Sequence, residues 1–122
     1  MRYLTAALLV ALAAPAVAGP TTHYLDLVNT AADSITSFAF APAGSNHFRA
    51  VAIGSGALHG GGETQTFAIR GEGAAGCLQD LRIGFANGRT LIHKSFNVCR
   101  YRSYHAGRYL RGGAQTVIAS IP

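Results

Sequence analysis

The chain has 122 residues with 15 glycines and no tryptophan, and it carries ten Lys and Arg against five Asp and Glu for a formal charge of +5. Its length suits one domain with its own core, and only five carboxylates limit the room for paired-acid chemistry. Two cysteines and no H-x-H or H-x-x-x-H spacing argue against a local metal motif, so no metal ligand is assigned and no cofactor is expected.

The first element is a leader. Met1 and Arg2 form a short positive start, Leu4 to Ala14 is apolar, and Ala16-Val17-Ala18 has the small-x-small form cut by a signal peptidase. The apolar run is about half of the ~20 residues that span a bilayer, so residues 1–18 read as a cleaved signal peptide rather than an anchor. Without an Arg-Arg pair or a cysteine at the cut, general export of a non-lipidated protein is expected. Residues 19–122 then form a single domain placed in a periplasm or outside the cell.

In that domain, Tyr24 to Asn29 alternates as a first strand, and Asn29 to Asp33 is a turn. Ser34 to Ala41 is a second strand stopped by Pro42 and Gly44, and Phe48 to Ile53 a third, before a glycine-rich connection over Gly54 to Gly62. Glu63 to Arg70 places Gln65, Phe67 and Ile69 on one side and Thr64, Thr66 and Ala68 on the other. Gly71-Glu72-Gly73-Ala74-Ala75-Gly76 matches G-x-G-x-x-G, but a strand follows it and no acid occurs after Asp80, so it reads as a strand connection rather than a dinucleotide site.

Asn87-Gly88 between Ile83, Phe85 and Leu91, Ile92 predicts a hairpin with a two-residue turn. That turn would set Ile83 against Ile92, Gln79 against Phe96 and Cys77 against Val98. In an exported domain Cys77 and Cys99 read as a disulfide closing a loop of about 22 residues, worth ~3 kcal/mol in the chain-entropy model. Register leaves their sulfurs on opposite faces, so a β-bulge or irregular strand end is expected near one cysteine. Ala114 to Ile121 is a last strand. About seven short strands with no helical period predict an all-β, antiparallel, Ig-like β-sandwich.

Charge is split along the chain. Gly19 to Asp80 holds Arg49 and Arg70 against five acids, whereas Leu81 onward holds seven basic residues and no acid. The basic segment 100–113 interleaves Arg100, Arg102, Arg108 and Arg111 with Tyr101, Tyr104 and Tyr109, a pattern suited to binding polyanions through cations and stacked aromatics. Export turns that expectation from cellular nucleic acid to anionic envelope or extracellular material. Ser34, Ser37, Ser45 and Ser55 lie outside any G-x-S-x-G elbow and the histidines are scattered, so an enzyme is not expected. The alternatives are a secreted inhibitor of a host or competitor enzyme, presenting the Gly54 to Gly62 or Gly71 to Gly76 loops, and a small hydrolase or metal-binding protein, which would need its side chains to converge in space.

Finally, Asn29-Thr30, Ile35, Phe38 to Pro42, Leu58, Gly62-Glu63, the run Gly76-Cys77-Leu78-Gln79-Asp80-Leu81-Arg82, Phe85-Ala86-Asn87-Gly88 and Cys99 form a pattern. It resembles a family of small exported bacterial β-sandwich proteins of unassigned function. The resemblance implies a compact sandwich and carries over no catalytic residue. It fails at Phe48, where tryptophan would be expected, and in the tail from Arg100 onward.

Overall fold

A computed structural model describes residues 20–72 and 74–120; the leader lies outside the described residues. Among the described residues eight strands form two sheets. β1 (Pro20–Asn29), β4 (Glu63–Glu72) and β7 (Ser103–His105) make a three-stranded sheet in the order β4-β1-β7, while β2 (Ile35–Pro42), β3 (Arg49–Val51), β5 (Leu78–Phe85), β6 (Thr90–Asn97) and β8 (Thr116–Ser120) make a five-stranded sheet in the order β3-β2-β5-β6-β8. The chain is therefore an all-β sandwich, with a disulfide between Cys77 and Cys99. No helix among the described residues is long and apolar enough to cross a membrane.

The core follows from period-2 alternation. Leu25 pairs with Phe67 in the small sheet, and the row Phe38, Ile83, Leu91, Val117 crosses the large one. The two inner faces meet where the Phe38 and Phe67 rings approach to 4.7 Å between centroids. In β4 the alternation is as expected, with Phe67 and Ile69 buried and Thr64, Thr66 and Ala68 exposed.

Two pairings depart from a wholly antiparallel sheet: β7 runs parallel to β1, and β8 parallel to β6. Both are outer strands from the last fifth of the chain, added after the antiparallel centre. β7 is also a strand within the segment that sequence assigned only to a basic tail. Tertiary pairing makes it, since three residues carry little alternation of their own.

The β5–β6 hairpin forms, but not with the expected turn. Phe85 and Arg89 close a three-residue loop, Phe85 N–H donating to Arg89 O at 2.9 Å and Gly88 N–H to Phe85 O at 3.0 Å. A two-residue turn of the primed type needs positive φ at both central residues, yet only Gly88, at +86°, has it. Asn87 is held instead by tertiary contacts, its amide donating to Asp33 Oδ2 at 2.7 Å. Ile83 consequently faces Leu91 rather than Ile92.

A β-bulge then restores the register. Between the pairs Leu81–His93 and Gln79–Phe96, the single residue Asp80 opposes both Lys94 and Ser95. Gln79 thus does face Phe96. The two cysteines lie at irregular strand ends, as disulfide geometry requires: Cys77 ends a 3-10 turn over Ala74–Cys77, and Cys99 follows β6 in a turn capped by Asn97 Oδ1, which accepts from Cys99 N–H at 3.0 Å and Arg100 N–H at 3.1 Å.

Candidate functional site

After that turn, residues 100–113 form a strap that leaves the large sheet, joins the small one as β7, makes a 3-10 turn over Ala106–Tyr109 and leads back to the large sheet at β8. Its backbone is tied down at both ends of its crossing. Asp26 N–H donates to Arg102 O at 2.8 Å, and Gly107 N–H donates to Thr30 Oγ1 at 2.8 Å. Gly107 is required at that second tie, because a Cβ there would meet Thr30 O at 2.6 Å.

Along the strap the side chains divide by face. Arg100, Arg102, Arg108 and Arg111 are exposed, and the Arg100 guanidinium lies over the Tyr101 ring at 5.4 Å. Tyr104 and Ala106 are fully buried, while Tyr101 and Tyr109 are half-buried against the core. Tyr104 therefore has no face to offer a ligand, which corrects its assignment as a polyanion contact. The tyrosines act from below: Tyr104 and Tyr109 stack at 5.0 Å with an interplanar angle of 17°, and Tyr101 packs on Phe96 at 5.8 Å. The interleaving read as a stacking platform is an anchored strap with cations out and aromatics in: Tyr104 points inward from β7, and Tyr109 from the 3-10 turn that follows.

Under the strap lies a buried polar pair that sequence reasoning missed. His93 has no solvent exposure; its Nδ1 shares a hydrogen bond of 2.9 Å with Tyr104 Oη, and its ring meets Phe96, Tyr104 and Tyr109 edge to face. Nε2 has no partner. Burial lowers the His93 pKa below its usual 6.5, with the Asp80 carboxylate opposing the effect, and burial together with Tyr109 raises that of Tyr104. Both groups are neutral at pH 7, and both are sealed from any substrate. The inward position of residue 93 in β6 was the available signal.

Asp80 is buried as well, and its partners are neutral. Oδ1 accepts from Ser95 N–H at 2.8 Å and Oδ2 from Gly44 N–H at 3.0 Å. Asp26 and Asp33 accept from Thr66 Oγ1 and Asn87 Nδ2. Three of the five acids are thus held by uncharged donors, which leaves the arginine charge outside these bonds.

On the outer face of the large sheet, Arg82, Ile92 and Ile118 share one cross-strand row. Beside it a shallow groove of about 230 Å³ is lined by Gly44, Asn46, Phe48, Asp80, Ile92, Lys94 and Ile118. The Arg82 guanidinium covers Phe48 at 4.4 Å, so the position lacking the expected tryptophan still places an aromatic ring under a cation.

The elements of a hydrolase converge only in part. Ser34 Oγ lies 3.2 Å from His59 Nδ1, but the neighbouring Asp33 carboxylate is turned to Asn87 instead of to the imidazole. Gly71 and Gly76 of the G-x-G-x-x-G match serve packing, since a Cβ on Gly71 would meet the Cα of Gly76 at 2.6 Å. In the Gly54 to Gly62 loop, Leu58 is buried and exchanges two backbone bonds of 2.9 Å with Ile35. Comparison with protein-family models, curated proteins and solved structures finds no match to this chain.

Proposed function

We propose that this chain is an exported, non-enzymatic binding module whose ligand is an anionic component of the envelope or extracellular space, held by Arg100, Arg102, Arg108 and Arg111. The observation that carries the reading is the division of the strap: Tyr104, Ala106 and Tyr109 anchor it in the core while the four guanidinium-bearing residues stand exposed. An anchored segment loses less backbone freedom on binding than a mobile tail, so more of the electrostatic attraction survives as affinity. The disulfide, with Cys99 exposed and Cys77 half-buried, is compatible with an oxidising compartment.

The test is binding of the purified, oxidised protein to phosphatidylglycerol vesicles and to duplex DNA across a salt series. Affinity should fall steeply with salt, by about 0.9 in log–log slope per phosphate contact for DNA. Replacing all four arginines by glutamine should flatten that slope, whereas Arg49→Gln with Arg70→Gln should leave it nearly unchanged. Binding that ignores salt, or a slope the strap variant keeps, refutes the assignment.

A secreted inhibitor is the second reading. It is favoured by the Leu58–Ile35 bridge, which stiffens the middle of the Gly54 to Gly62 loop and lowers the entropy cost its glycines would otherwise impose. Capture of one stoichiometric enzyme, lost on altering residues 55–57 and retained by the strap variant, would support it over the anion reading.

A further inference from the structure

Three metal-ligating side chains, distant in sequence, meet at one corner of the sandwich. His23 belongs to β1, Cys77 ends the 3-10 turn before β5, and Cys99 lies in the turn after β6. One ligand atom from each lies within 4.8 Å of the other two. His23 Nε2 is 3.4 Å from Cys99 Sγ and Nδ1 is 3.9 Å from it. Tetrahedral zinc, with Zn–S near 2.3 Å and Zn–N near 2.0–2.1 Å, holds nitrogen and sulfur ligands roughly 3.6 Å apart. The imidazole therefore already stands beside a cysteine sulfur at the spacing a shared ion would impose.

The backbone around these groups is held independently of the sulfur bridge. His23 pairs with Ile69 across β1 and β4, Val98 N–H donates to Cys77 O at 2.8 Å, and Asn97 Oδ1 caps the turn bearing Cys99. Cys99 is exposed, and His23 and Cys77 are half-buried, so both a reductant and an ion have access.

We infer that reduction of the Cys77–Cys99 disulfide turns this corner into a Cys₂His site for a thiophilic divalent cation, with zinc the ion of matching chemistry. A dithiol supplies two electrons and two protons: the protein S–S bond breaks, two thiols form, and the donor is oxidised to its own disulfide. On binding, each thiol releases its proton, two thiolates and the neutral His23 Nε2 coordinate the cation, and water takes the fourth position. Two soft sulfurs and an imidazole select zinc over magnesium or calcium, which prefer oxygen ligands. The site is conditional: the oxidised protein has no thiolate to offer.

The experiment uses the purified chain, reduced by an immobilised dithiol that is then removed under anaerobic conditions, with Co²⁺ as the optical probe and Zn²⁺ as competitor. The expected result is one Co²⁺ per reduced chain, with thiolate-to-cobalt charge-transfer absorption displaced by zinc, and none for the oxidised chain. His23→Ala should weaken binding by about tenfold or more, since even groups that merely support a ligand cost 10–100-fold when removed. His47→Ala should match the wild type. If reduction abolishes the near-ultraviolet tyrosine signal, its return on adding Co²⁺ to the wild type but not to His23→Ala supports the site. Cobalt absorption that is absent, or equal in wild type and His23→Ala, overturns it whether or not the reduced chain is folded.

Discussion

Replacing Asp80 by Asn removes one charge and a single acceptor, and its consequence can be worked from two distances. Asp80 Oδ1 accepts from Ser95 N–H at 2.8 Å and Oδ2 from Gly44 N–H at 3.0 Å. An asparagine amide has one oxygen, so one of these two N–H groups must face an NH₂ group; turning the amide over only chooses which. The lost bond is charge-assisted and largely buried, worth about 1.5–3 kcal/mol, and the retained one weakens to a neutral bond. Ser95 also sits at φ +58°, a left-handed conformation that costs a non-glycine residue about 1–2 kcal/mol and is held in part by this contact. A net loss of about 2–3 kcal/mol follows. With urea m-values of about 1–3 kcal/mol/M for small domains, the unfolding midpoint of Asp80→Asn should fall by about 0.7–3 M. Amide hydrogen exchange at Ser95 or Gly44 should accelerate at the same time. A midpoint equal to the wild type, with both amides still protected, would refute the account of the bulge.

Two further outcomes follow from buried groups. The folded pKa of His93 lies below 6.5 because burial disfavours the imidazolium, so the unfolded chain binds more protons and stability falls as pH drops through 6.5 toward the folded value. The slope approaches about 1.4 kcal/mol per pH unit, and urea midpoints of wild type and His93→Gln measured between pH 7 and 5 should diverge accordingly; parallel curves would disprove it. Gly60→Ala places a Cβ 2.3 Å from Ala31 O, a contact only backbone movement relieves, and a loss of about 1–3 kcal/mol is expected in thermal or urea unfolding.

Much of the architecture was legible locally. Alternation placed Phe67 and Ile69 inward, and turn residues separated the strands, because a strand facing one core writes its geometry into every second residue. The cysteines could be paired from their number and from the expectation of export, and the irregular ends that let them meet were foreseen from register. The hairpin was legible as a hairpin, but its exact turn was not: Asn87 is held by Asp33, a partner 54 residues away. The arginines of the basic segment were found on the surface where they were expected, while Tyr104 went to the core, since R-Y-R-S-Y reads equally as a platform or as an edge strand.

The sequence by itself determined an all-β chain with one disulfide and a cationic second half, because these depend on composition, short-range periodicity and chain position. Only the tertiary structure decided that β7 and β8 pair in parallel, that His93 and Tyr104 meet beneath the strap, and that His23 stands beside Cys99. Each of those joins residues 11 to 77 positions apart in the chain. Such contacts are set by the packing of two whole sheets, and no window of neighbouring residues records them.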